Sequence, residues 1–537
     1  MAAVAAHALE LSMEAAENGT GGDHSSPAGT PRPSKFAPAE FRSASVSVIV
    51  LGASGDLAKK KTLPALYGLF LRGLLPAEAA VVGYARSDLS RADFHDRISP
   101  NLEKVDGSSD DSLAVFLGQC HYVSGQYDSS EDFAALHDEL IRLEDEAGAS
   151  ESGEAHRLFY LALPPKVFAS VSATFEPVAM SQRGWNRVVV EKPFGRDLAS
   201  SNELVAALAE TFTEDQQFRI DHYLGKEAAL NMVVFRFANL TFQPLWNRNY
   251  ISTVEITFKE PFGTEGRGGY FDEIGIVRDV MQNHLLQLLA LTAMERPISL
   301  SAEDVRDEKV KVLRCIEPLT LDDILIGQYV ANEETGKPGY TDDDGVPDDS
   351  RCATFATAAF NIRNERWDGV PFIIRCGKAL NERKANIRIQ LRDTPGQLFG
   401  DAARNELVFR IQPSEAIYLK VMAKKPGLGD ELVQTELDLT YHSRFPCETI
   451  PDAYERLLYD VLRGDRSHFV RADELEAAWR IFDDVLHKLD DGAVEPLPYV
   501  YGSRGPDAAD DFVAARGYVR SGDYSWQASS QQSPSKL

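Results

Sequence analysis

Six residues, Val46-Ser-Val-Ile-Val-Leu51, form a nearly continuous β-branched apolar run, and glycines follow at 52 and 55. Such a run reads as a strand buried on both faces. The glycines read as a tight turn, and Leu57 to Leu71 carries a helical pattern. Short buried runs recur at Ala80–Tyr84, Leu158–Leu163 and Val188–Val190, with helical stretches between them. This β-α-β alternation predicts a doubly wound parallel sheet over residues 41–219.

Beyond Gly225 the pattern changes. Period-two alternation marks Thr253–Phe258, Thr354–Arg363, Phe372–Cys376, Ile387–Leu391, Leu407–Gln412 and Ala416–Met422. Strands without intervening helices predict a larger α+β domain over residues 220–527, with a mainly antiparallel sheet. Asp279–Met294 and Ala453–Leu462 are its clearest helices, and Glu334–Ser350 reads as an exposed loop. Residues 1–40, rich in Ala, Gly, Ser and Pro, read as a disordered extension. Residues 528–537 form a polar tail.

Acidic residues outnumber basic ones 82 to 56, for a formal charge of −26. That balance excludes nucleic acid and anionic membrane surfaces as partners. No apolar run approaches the ~20 residues of a membrane-spanning helix. Five cysteines without a CxxC pair support neither a disulfide framework nor a zinc site. No metal is expected. An acidic chain that binds phosphorylated ligands must gather its basic residues locally.

Gly52-Ala-Ser-Gly-Asp-Leu-Ala58 has the place of a pyrophosphate-binding turn, between strand and helix, in a Rossmann-like domain. Gly52, Ser54, Gly55, Asp56 and Leu57 are its candidate ligands. The second strand ends Gly83-Tyr-Ala-Arg-Ser87, where NAD sites usually carry an acidic residue. Arg86 and Ser87 stand there instead, and the planar guanidinium suits a 2′-phosphate, which points to NADP. Glu191-Lys-Pro-Phe-Gly195 follows another strand, where open sheets of this class bind ligands.

Arg219-Ile-Asp-His-Tyr-Leu-Gly-Lys-Glu227 places a carboxylate, an imidazole, a phenol and an ammonium within six residues, Asp221 to Lys226. On a helical turn His222 and Lys226, at i and i+4, would share a face, leaving Asp221 to serve another residue. Oxidising an alcohol by hydride transfer requires a base, and imidazole suits that role. His222 and His284, in Arg278-Asp-Val-Met-Gln-Asn-His284, are the two candidates among eleven histidines. Spacing does not choose between them.

Taken together, these motifs resemble the glucose-6-phosphate dehydrogenase family from about Val46 to Trp526. The resemblance implies oxidation of glucose 6-phosphate at C1 with NADP. It makes His284 the base and Asp221 its orienting partner. It assigns His222, Tyr223 and Lys226 to the substrate phosphate, and Lys192, Glu260 and Asp279 to sugar hydroxyls. Lys378, Arg383 and Gln412 complete that site. Lys192 would be shared with the cofactor and precede a cis peptide bond, and Tyr160 would lie against the nicotinamide half. Many eukaryotic members also hold a second, structural NADP. The matching residues here are Arg375, Lys384, Arg388, Arg410, Tyr418, Lys420, Asp438, Thr440, Arg504 and Trp526, while Arg520 stands where a tyrosine is expected. A homodimer or homotetramer through the second sheet is implied. Ser535-Lys536-Leu537 matches a peroxisomal import address, so the expected location is cytoplasm, a peroxisome-type microbody (glycosome), or both. The competing readings are a catalytically silent nucleotide-binding regulator and a dehydrogenase of a related sugar on the same fold.

Overall fold

A computed structural model describes residues 45–149, 153–396, 398–400, 402–446 and 448–520. The expected extension over residues 1–40, together with Cys447, Trp526 and Ser535-Lys536-Leu537, lies outside the described residues.

The first sheet contains β1 (Val46–Leu51), β2 (Ala80–Ala85), β3 (Cys120–Ser124), β4 (His156–Leu161), β5 (Asn186–Val190) and β6 (Gln217–Ile220). They lie parallel in the order β3-β2-β1-β4-β5-β6. The order reverses between β1 and β4, so a crevice opens beyond their carboxyl ends. Val48 and Val50 pack into one apolar cluster, while Ile49 and Leu51 pack into another on the opposite face. Both faces of β1 are therefore covered, which is why its sequence lacks polar alternation. A late strand, Phe469–Val470, adds antiparallel to β6.

The second sheet has nine strands. Its order is Leu432–Thr440, Ala416–Lys424, Glu406–Gln412, Lys384–Leu391, Ile251–Lys259, Pro371–Gly377, Phe355–Asn361, Ile324–Val330 and Leu497–Val500. Two neighbouring pairs are parallel, Ile251–Lys259 with Pro371–Gly377 and Ile324–Val330 with Leu497–Val500. The other pairs are antiparallel. Helix Glu227–Ala238 seals one face through Phe235, whose ring meets Phe409 at 5.1 Å.

Two expected helices carry π-helical segments. Ala58–Thr62 is one, leading into the α-helix Leu63–Leu71. The other is Val277–Leu285, continued by the α-helix Leu286–Ala293. Segments of this kind often mark functional positions. The expected loop over Glu334–Ser350 is anchored: Tyr340 is buried and its hydroxyl donates to Asp272 at 3.0 Å.

Helix Ala453–Arg463 returns to the first sheet and packs on Leu63–Leu71 and on the turn His222–Gly225. Its Leu457, Leu458 and Val461 belong to the same cluster as Val48 and Val50. Arg187 secures the carboxyl end of that helix, donating to Val461 O and Leu462 O at 2.7 Å each.

A buried ion pair ties helix Ser130–Glu146 to β4. Arg157 donates through Nε and Nη2 to Glu144 at 2.7 and 3.0 Å, and both side chains are about fully buried. Breaking such a pair leaves an uncompensated charge in the interior, at about 3–5 kcal/mol. Glu144→Ala should therefore lower the unfolding free energy by an amount in that range, measurable by urea denaturation.

Candidate active site

The turn after β1 is forced to glycine. Gly52 has φ +89°, and a Cβ there would sit 2.3 Å from Ala162 O at the end of β4. No side chain fits, so the backbone enters the crevice closely and the helix starting at Asp56 opens there. That geometry fits a pyrophosphate. Ser87 Oγ donates to Ser54 Oγ at 3.2 Å, joining the turn to the end of β2. Arg86 is exposed, with its guanidinium 5.6 Å from the Tyr127 ring centroid. Asp56 is held to a pKa of about 2 by hydrogen bonds from Lys60 and Lys59. It is therefore a fixed negative charge beside the turn. Leu57 opens the π-helical segment.

Asp221 closes β6 and caps the 3₁₀ turn His222–Gly225, its Oδ1 accepting from Tyr223 N at 3.0 Å. The same Oδ1 meets His284 Nδ1 at 2.6 Å, and both side chains are buried. A carboxylate can only accept from an imidazole in this arrangement. Nδ1 therefore carries the proton and Nε2 is left basic. Burial pulls the His284 imidazole below its ordinary pKa, and Asp221 opposes that without cancelling it. Burial also acts against the Asp221 carboxylate, but His284, the Tyr223 N–H and Lys192 outweigh it and hold the pKa low. Near neutral pH the pair is thus carboxylate plus neutral imidazole, the state of a resting base.

The histidine of the turn is different. Its ring lies 4.4 Å from that of His284, edge to face, and Tyr223 stacks on His284 at 4.7 Å. Burial pushes His222 well below its ordinary pKa, and the positive charges of Lys192, Lys226 and Lys61 add to the effect. His222 and Lys226 do not share an α-helical turn. His222 opens a 3₁₀ turn and Lys226 follows it in extended conformation, with Nζ 5.2 Å from the Tyr223 ring centroid. The expected i, i+4 relation is replaced because Gly225 ends one short helix and Lys226 caps the next.

Six further predicted residues converge. Lys192 Nζ donates to Asp279 O at 2.8 Å, and Lys378 Nζ lies 2.7 Å from Glu260 and 3.5 Å from Asp279. Gln412 Nε2 donates to the Tyr223 hydroxyl at 3.1 Å. Arg383 is exposed, and its charge is felt by Tyr223 and Lys226. The Lys192–Pro193 peptide is cis.

Asp279 and His284 are five residues apart. Along an α-helix, at about 100° per residue, they would face different ways. The i→i+5 bonding of the π-segment stacks them instead. Asp221, His222 and His284 also offer ligand atoms within 4.8 Å of one another. A divalent cation there would enter the positive field of Lys192, Lys226 and Lys61.

Comparison with known proteins shows the family. A family model described as glucose-6-phosphate dehydrogenase, NAD binding domain, matches residues 49–231, and one for the C-terminal domain of the same enzyme matches 233–527. The chain belongs to the glucose-6-phosphate dehydrogenase family. The glucose-6-phosphate 1-dehydrogenase of Dictyostelium discoideum is 51% identical over 493 residues, 91% of this chain and 98% of that one. That of Takifugu rubripes is 53% identical over 492 residues, 91% of this chain and 92% of its own. A solved structure titled "Glucose-6-phosphate dehydrogenase in complex with its substrate glucose-6-phosphate" superposes with TM-score 0.85 at 51% identity. It covers 89% of this chain and 99% of that one.

Against the family expectation, the Tyr160 side chain is not open to a ligand. It is fully buried, and its hydroxyl donates to Glu191 at 2.5 Å. Glu191 itself was not singled out; the signal available was an acidic residue at the end of an apolar strand. Burial raises its pKa, while the Tyr160 hydroxyl and Lys192 pull the other way. Tyr454 was missed too, and its ring lies parallel to His222 at 5.9 Å. It comes from the returning helix, whose approach to this site no local pattern announces.

A second cleft, of about 670 Å³, lies on the second sheet. Arg375, Lys384, Arg388, Arg410, Tyr418 and Arg504 line it, as expected for one site. Lys420, Asp438 and Thr440 are off its wall. Lys420 is buried against Glu406 at 2.9 Å, and Thr440 Oγ1 donates to Asp438 at 2.8 Å.

Asp221→Asn should reduce kcat by roughly 10²-fold or more, because the imidazolium loses its counter-ion. Burial and the Lys192 charge then act without the opposing Asp221 carboxylate, and His284 becomes harder to protonate. The acid limb of the kcat/KM profile, already below about pH 6.5, should move to lower pH, as steady-state rates across pH will show.

Proposed function

We propose that this chain oxidises D-glucose 6-phosphate at C1 to 6-phospho-D-glucono-1,5-lactone, with NADP as cofactor. The observation that carries the reading is the buried Asp221–His284 pair at 2.6 Å beside His222, Tyr223 and Lys226. His284 Nε2 takes the C1 hydroxyl proton, and Asp221 stabilises the imidazolium that results. Lys226, His222 and Tyr223 bind the phosphate. A dianion entering this positive field would offset the effects that keep His222 neutral. Lys192, Asp279, Lys378 and Glu260 form a chain of alternating ammonium and carboxylate groups that can exchange partners with sugar hydroxyls. Arg383 and Gln412 hold the far side. Gly52, Ser54, Gly55, Asp56 and Leu57 would hold the pyrophosphate half of NADP, and Arg86 with Ser87 its 2′-phosphate. When bound, NADP supplies the hydride acceptor.

The second cleft is read as a site for a structural NADP. Trp526 would complete it from outside the described residues. The nucleotide-binding domain is taken as residues 41–219 and the substrate domain as 220–527, the latter lending Phe469–Val470 to the first sheet. Assembly as a homodimer or homotetramer would use the second sheet, whose edge strand Leu432–Thr440 pairs on one side only among the described residues and exposes Leu437. A cytoplasmic enzyme fits the names of two plant relatives from Arabidopsis thaliana and Solanum tuberosum. Ser535-Lys536-Leu537 would add a microbody share through an import receptor.

Following NADPH at 340 nm tests the reading. His284→Asn should lower kcat by ~10²–10⁴-fold with little change in substrate dissociation. His222→Asn should mainly raise KM for glucose 6-phosphate. Full activity in the first variant would overturn the assignment of the base, as would turnover of glucose equal to that of its 6-phosphate for the substrate. Arg86→Ala should raise KM for NADP about tenfold while leaving that for NAD nearly unchanged, in the same assay with both cofactors.

A further inference from the structure

The second cleft is cationic in a chain of formal charge −26: seven basic and four acidic side chains line it. Its acids differ in how firmly they are placed. Glu406, beneath the cleft, is buried to 1% exposure and grips Lys420 and Arg388 at 2.9 and 3.2 Å. Asp510, in helix Ala508–Ala514, is 43% exposed and gathers three arginines. Arg375 lies 2.6 Å away, Arg520 3.3 Å and Arg504 3.4 Å. Arg375 is itself buried, and its Nε has no hydrogen-bond partner among the described residues. Asn386, also buried on the cleft wall, keeps Oδ1 unpartnered in the same sense.

We propose that Asp510 is a displaceable counter-ion of this cleft, holding Arg375, Arg504 and Arg520 until the phosphate groups of a dinucleotide take them over. The inference rests on reading the cleft as a second NADP site. Guanidinium forks bind carboxylate and phosphate alike, and a phosphate offers more charge and more acceptor oxygens than one carboxylate. Being half exposed, the Asp510 carboxylate can move into water at little cost, which Glu406 cannot. Arg520 fits the same logic. Where the family resemblance expects an aromatic ring, this chain carries a third charge on the shared carboxylate. Recognition here leans on phosphate rather than on stacking.

Calorimetric titration of the full chain with NADP, without sugar, tests this. The wild type should show two classes of site. Asp510→Asn should tighten the second class about tenfold and leave the first class and the KM for NADP within about twofold. Asp511 lines the same cleft but makes no ion pair among the described residues, so Asp511→Asn should leave both classes unchanged. Arg520→Gln, at an exposed position that should not compromise folding, should weaken the second class about fivefold. Unchanged or weaker second-class binding in Asp510→Asn would overturn the proposal, because the carboxylate would then orient the arginines rather than compete for them. So would an equal effect of Asp511→Asn, or no effect of Arg520→Gln. A single class of site in wild type and all variants would instead remove the second-site reading, and the proposal with it.

Discussion

The hydrogen bond between Asp221 and His284 is the contact on which the site depends. It joins the residue that follows β6 to a helix belonging to the second half of the chain. Neither partner is useful alone. A buried imidazole without its carboxylate has no fixed tautomer, and a buried carboxylate without its imidazole is an uncompensated charge. Pairing them fixes the proton on Nδ1 and leaves Nε2 unprotonated. It also fixes the distance between the turn that carries Lys226 and the helix that carries Asp279. The candidate substrate ligands of two structural units are thereby registered to one another through a single short contact.

Local backbone irregularity aims the remaining groups. A regular α-helix over 277–285 would send Asp279 and His284 to different faces, and the chain Lys192–Asp279–Lys378–Glu260 would lose its place beside His284. The π-winding resolves that conflict with ordinary residues, without proline or glycine between them. A comparable segment at Ala58–Thr62 follows the glycine turn. The two ligand-facing helices of the site thus share a departure from regular winding.

Much of this was legible in the chain. β1 spans the residues its apolar run marks, because a strand covered on both faces shows no alternation to confuse. The period-two runs of the second half became strands even where both faces are covered: Phe372 and Ile374 join the large apolar cluster, while Ile373 packs with Val513 of helix Ala508–Ala514. Other features had no such signature. β3, Cys120-His-Tyr-Val-Ser124, is a half-exposed edge strand with mixed polarity. The Glu191 carboxylate looked like one more charge in an acidic chain, and only its place under Tyr160 gives it meaning. The i, i+4 reading of His222 and Lys226 failed because two short helices abut at Lys226, which spacing alone cannot register. Tyr454 reaches the site from more than two hundred residues away in sequence.

That last residue belongs to the chain's return to the first sheet. Helix Ala453–Arg463 and the strand Phe469–Val470 cover and extend a sheet whose parallel strands are all complete by Ile220. During synthesis, some two hundred and thirty residues must therefore emerge before the first sheet gains its final cover. Until then the apolar surface that later meets Leu457, Leu458 and Val461 faces water. A nascent chain in that interval carries an exposed patch of the kind chaperones bind. A fragment cut near residue 231 would keep that patch permanently. The nucleotide-binding half is thus a recognisable unit in sequence but an unfinished one in folding, and its completion waits for nearly the whole protein.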